Sequence, residues 1–132
     1  MNGSIGQAYR GLMWLFTAGV VVQVFLAGLG VFGGKDDFGL HLTWAIVLFV
    51  MAVLSPLLAI AGRLGRRVTG LSFLVLVLFF LQSVFVQLRT DMPYLAALHP
   101  VNALAIFWLS LTLARGSRHI AAADPSAAGS NG

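Results

Sequence analysis

Phe38–Gly62 reads FGLHLTWAIVLFVMAVLSPLLAIAG, 25 residues without one charged side chain. At 1.5 Å of helical rise per residue, about 20 apolar residues cross the ~30 Å hydrocarbon layer of a bilayer. This stretch is therefore long enough to span. Moving outward, uncharged intervals recur at Gly11–Gly34 (24 residues), Val68–Leu88 (21) and Met92–Ala114 (23). The whole chain of 132 residues is 59% hydrophobic and 9% charged, against about 25% charged in a soluble domain. That balance excludes an ordinary water-soluble globule. Backbone amides in lipid must be paired within their own segment, which selects helices, and short connections join antiparallel neighbours. The expected fold is all-α: an integral membrane up-down-up-down four-helix bundle. Its spans lie at about 11–33, 38–62, 68–88 and 92–114, within a bundle of residues 11–116.

Charge sets the orientation. Arg10, then Arg63, Arg66 and Arg67, then Arg115 and Arg118 fall on one side of alternating spans. Lys35 with Asp36 and Asp37, and Arg89 with Asp91, fall on the other. The positive-inside rule puts both termini and the middle loop in the cytoplasm of a bacterial inner membrane. Residues 1–10 are then a cytoplasmic N-terminus, and 117–132, small and aperiodic, a disordered cytoplasmic tail. The first span is too long for a signal-peptide core and is expected to be retained. A pI near 10.8 reflects cations at span ends beside anionic headgroups, with no nucleic-acid role. The absence of cysteine removes disulfides, thiolate metal sites and Fe–S clusters. No internal repeat is visible in the sequence. Asp37 is expected to cap the second helix. Pro93 belongs in the first turn of the fourth, Tyr94 at the outer interface, and Pro100 at a kink that frees the carbonyl of Ala96.

Polar residues inside spans default to function. His41 and His99 lie at similar depth near the outer ends of the second and fourth spans, which an up-down bundle places on a diagonal. Two imidazoles facing across that diagonal suit a six-coordinate haem iron, whose other four nitrogens come from the porphyrin. Zinc would need more ligands than the spans offer. His41 shares a face with Ala45, Leu48, Ala52, Ser55 and Ala59; Gln23 with Gly19, Ala27 and Gly30; His99 with Asn102, Ala103, Ile106 and Ser110. Such small residues make room for a flat macrocycle, or let helices approach closely, as GxxxG at Gly30–Gly34 does. Lys35 and Arg89, the outer cations, can pair with haem propionates or simply mark span ends. Gln23 is expected to bond another helix, or a porphyrin or quinone. Gln82 and Gln87 lie on different faces, so at most one points inward. Asn102 is expected to bond the carbonyl freed by Pro100. His119, in the tail, is set aside.

Two outward-placed histidines on spans two and four, with cytoplasmic termini, resemble one four-helix half of the haem A synthase family. The resemblance covers roughly residues 10–115. It implies that His41 and His99 stand as axial haem ligands, and that Asp37 stands near a glutamate of the family's catalytic half. The family's outer-loop cysteine pair and second half have no counterpart here. The stretch LHPVNALAIFWLSLTLAR is similar to that of small, uncharacterised four-span bacterial membrane proteins.

Three functions compete. The first is a b-type haem protein for electron transfer or haem holding, as a homodimer or in a larger membrane complex with a redox partner; it is a carrier rather than a stand-alone enzyme. The second is a cofactor-free accessory subunit, and the third a quinone-binding subunit. No GxSxG, P-loop or carboxylate pair supports a hydrolase or nucleotide-binding role.

Overall fold

The computed structural model describes residues 3–33 and 38–116. Helices α1 (Gly3–Phe32), α2 (Gly39–Ala61), α3 (Arg66–Gln87), α4 (Pro93–Ala96) and α5 (Leu98–Arg115) account for nearly all of them. With α4 and α5 taken as one broken segment, four helices are long and apolar enough to cross a membrane. Leu15, Phe25, Ile46, Phe80, Leu104 and Trp108 keep 61–72% of their surface exposed. In water such a surface would aggregate; against acyl chains it is the expected exterior. This is a multi-pass membrane protein.

α1 begins eight residues before the first uncharged interval. The cause is Tyr9, which is 1% exposed despite preceding Arg10. Its hydroxyl donates to Ser72 Oγ at 2.7 Å, and Ser72 donates onward to the Val68 carbonyl at 2.9 Å. Burial and a satisfied hydroxyl carry the helix past a charge that a simple count treats as a boundary.

α1 packs on α2 and α5, and α3 packs on the same two; no Cα approach within 8 Å joins α1 to α3 or α2 to α5. Spans two and four therefore occupy a diagonal. The pairs Gln23–His41 and Gly19–Trp44 advance in opposite directions along α1 and α2, as Gln82–His99 and Leu78–Asn102 do along α3 and α5. Each hairpin is antiparallel. Gly19 permits the close approach in the first: a Cβ there would lie 2.6 Å from Leu48 Cδ2. Gly30 likewise takes the Phe38 ring from within the chain; Gly34, its GxxxG partner, lies outside the described residues.

The prolines are handled differently. Pro56 sits inside α2 and cannot bond the carbonyl of Ala52; the Ser55 hydroxyl donates to that carbonyl instead, at 3.0 Å. Pro93 opens α4, and the fourth span breaks at Ala97, one turn after it and just before Pro100. Phe38 occupies the N-cap position of α2 without a side-chain cap, and Asp37 lies outside the described residues. Tyr94 is fully on the surface.

Away from the histidines the centre is filled. Tyr9 reaches Ser72 across the α1–α3 diagonal, and the rings of Phe16 and Phe79 stand 6.1 Å apart. Thr17 Oγ1 lies 3.0 Å from Ser110 Oγ between α1 and α5. Replacing Tyr9 by Phe removes one buried hydrogen bond while Ser72 keeps its bond to Val68. The expected loss is about 1 kcal/mol, read as a shifted midpoint in SDS-induced unfolding. An unshifted midpoint would mean that the diagonal bridge contributes nothing.

Candidate functional site

At the other end the centre is open. A cavity of about 400 Å³ is lined by residues of every spanning segment, within the ~300–1,000 Å³ range of cofactor pockets. Its inner limit is Val20, Leu48, Phe79 and Ile106, one buried residue from each long helix. Most of the lining is apolar; the polar exceptions are His41, His99, Gln23, Gln82, Gln87 and Ser83.

The two histidines face each other here. Their ring centroids lie 6.5 Å apart with planes inclined at 53°, and both rings are half-buried. His41 Nδ1 is 3.1 Å from the Gln23 carbonyl oxygen, and His99 Nδ1 is 3.1 Å from that of Gln82. A carbonyl can only accept, so Nδ1 carries the proton in both rings and Nε2 keeps its lone pair. Metal-bound imidazoles are held in this way, with the far N–H given to a carbonyl that fixes tautomer and ring angle.

The register of these bonds repeats between the hairpins. His41 follows Gln23 by 18 residues and His99 follows Gln82 by 17. Three residues beyond each histidine, a side-chain N–H donates to the carbonyl four residues before each glutamine: Trp44 Nε1 to Gly19 at 2.9 Å, and Asn102 Nδ2 to Leu78 at 2.8 Å. Burial follows suit. Tyr9, Met13, Phe16 and Val20 match Val68, Ser72, Val75 and Phe79, and Leu48, Ala52, Ser55 and Pro56 match Ile106, Ser110, Leu113 and Ala114. Helical periodicity alone gives any packed helix a buried stripe; the matched hydrogen bonds make this a repeat, with His41 and His99 as equivalent positions.

The remaining sequence candidates fall as follows. Gln23 bonds another helix as expected: its amide nitrogen is 3.2 Å from His41 Nε2. Gln82 turns toward α5 and Gln87 is exposed, although both line the cavity. The expected role of Asn102 is corrected: its amide donates to Leu78 and, at 2.6 Å, to Gln82 Oε1, not to the carbonyl freed by Pro100. Pro100 lies in the first turn of α5, and Asn102 faces across to α3. Arg89 is exposed at the end of α3, where its Nη1 lies 3.5 Å from the Val86 carbonyl oxygen; Lys35 and His119 lie outside the described residues. Trp44 was missed, and only its place three residues after a histidine could have signalled it.

The sequence model of a family of unknown function (DUF6220) matches residues 23–90, just over half of the chain. That stretch holds Gln23, His41 and Gln82 and stops short of His99. No curated protein and no solved structure matches.

The two hydrogen-bonding residues after the histidines should differ in weight. Asn102→Ala leaves the half-buried Gln82 Oε1 without its donor and removes the bond to Leu78 as well, an expected loss of roughly 1–3 kcal/mol, whereas Trp44→Phe removes a single bond, about 1 kcal/mol. Reversible unfolding in mixed micelles gives both values. A larger loss for Trp44→Phe would contradict the account of the Asn102 network.

Proposed function

The chain belongs to the DUF6220 family, and we propose that it is a small b-type cytochrome. In this reading His41 and His99, each through Nε2, would hold the iron of a haem b. The carrying observation is the pair of imidazoles 6.5 Å apart, each with Nδ1–H given to a backbone carbonyl. The spacing leaves room between the rings for one metal atom that both imidazoles would hold. Two neutral imidazoles in an apolar cavity are also a donor set that iron in a porphyrin accepts without further protein ligands. When bound, the haem supplies one-electron transfer, and two imidazoles on its iron favour outer-sphere exchange over oxygen chemistry.

The residues do the rest. The carbonyls of Gln23 and Gln82 hold the rings at their angle. Val20, Leu48, Phe79 and Ile106 close the cavity inward and exclude water. Arg89, just beyond Val86 and Gln87 of the lining, is the described cation that would pair with a propionate. Positive-inside charge puts the site beneath the outer face of an up-down-up-down bundle whose two termini are cytoplasmic, in a bacterial plasma membrane. The likeness to a haem A synthase half belongs with this reading: it concerns the two histidines and not that family's reaction.

A second reading draws on Gln23 Oε1, which is buried with no hydrogen-bond partner among the described residues. That oxygen and two Nε2 atoms are acceptors, a set that suits the hydroxyl groups of a quinol.

Protein purified in mild detergent from haem-replete cells is expected to carry one low-spin haem per chain. His41→Ala and His99→Ala should each abolish the bis-histidine spectrum while helicity by circular dichroism is kept. Folded protein that takes up no haem would overturn the reading, and extractable quinone in its place would establish the second one.

A further inference from the structure

The two hairpins repeat each other closely enough that their one departure at the site carries information. In the second hairpin, the residue three after the histidine is Asn102. Its amide supplies two N–H groups, one to the Leu78 carbonyl and one to Gln82 Oε1. The Gln82 side chain is thereby held against α5, and among the described residues no hydrogen bond falls on His99 Nε2. In the first hairpin the equivalent residue is Trp44, whose indole has a single N–H, and that goes to Gly19. Nothing remains to hold Gln23. Its Oε1 is left buried without a partner among the described residues, and its amide nitrogen closes on His41 Nε2 at 3.2 Å. Since His41 Nδ1 carries the ring proton, Gln23 is the donor and Nε2 the acceptor.

From this we propose that the two histidines are unequal: His99 is the anchoring ligand, His41 the exchangeable one, and Gln23 the positioning residue that competes for it. The inference rests on the haem reading of the cavity. His99 meets an incoming haem with its lone pair already free. His41 binds only after the Gln23 amide has let go, and that amide loses its partner when it does. Equivalence by fold is thus broken by one substitution in the repeat, Trp44 against Asn102.

The test compares haemin titrations of detergent-purified wild type, Gln23→Leu, Gln82→Leu, His41→Ala and His99→Ala, read as affinity, stoichiometry and spin state, with circular dichroism of each. Gln23→Leu keeps the shape while removing both the competing donor and the orphaned oxygen. It is expected to tighten haem binding by roughly three- to tenfold, the fold-change that one net hydrogen bond represents. Gln82→Leu, whose side chain does not compete for His99, should bring no such gain. His41→Ala is expected to retain haem in a high-spin form, and His99→Ala to lose it. Equal loss in both histidine variants, or a Gln23→Leu protein with unchanged or weaker affinity, would overturn the inequality while leaving the haem reading in place. Wild-type protein that binds no haemin would overturn that reading, and the inference with it.

Discussion

An imidazole N–H inside a hydrocarbon layer has no water to bond, so it must find an acceptor on the protein. Helix carbonyls are the acceptors at hand, and in this bundle each histidine finds one on the neighbouring helix of its own hairpin. That single requirement orders the rest of the site. It fixes the tautomer of both rings and sets the register in which α2 lies on α1 and α5 lies on α3. Two hairpins built on the same rule, packed with α2 and α5 on a diagonal, bring two lone pairs into one cavity.

The cavity persists because the opposite end of the bundle is filled. Tyr9 and Ser72 bridge the other diagonal, Phe16 meets Phe79, and Gly19 admits Leu48 and Trp44. Tyr9 on one hairpin faces the small Ser72 on the other, and two large rings, Phe16 and Phe79, meet beside them. Packing there supports helix geometry at the site, while the site itself keeps an open cavity.

The four long helical segments were legible from charge alone, because placing an arginine or aspartate inside lipid is costly and the chain avoids it. The exception is α1, where Tyr9 holds a helix that continues past Arg10. The histidines were legible as polar residues at matched depth, and their diagonal follows from connectivity. The repeat was not. Its matched pairs, Tyr9 with Val68 or Met13 with Ser72, preserve burial but not residue type, and a comparison of letters sees no likeness. The partner of Asn102 was also misjudged: the orphaned carbonyl near Pro100 suggested a local bond, whereas the side chain reaches α3. At Pro56 the local solution does operate, through Ser55. Among the described residues a side chain answers the carbonyl left by proline only at Pro56.

The central claim is that two imidazoles present their Nε2 lone pairs to one shared space. The most direct measurement is ¹⁵N NMR of the histidine side chains in micelles, before and during titration with haemin. The account predicts Nδ1–H, Nε2-unprotonated resonances for both His41 and His99, and paramagnetic loss of both signals together at one haemin per chain. An Nε2–H tautomer at either ring, or loss of one signal while the other stays sharp throughout, would contradict it.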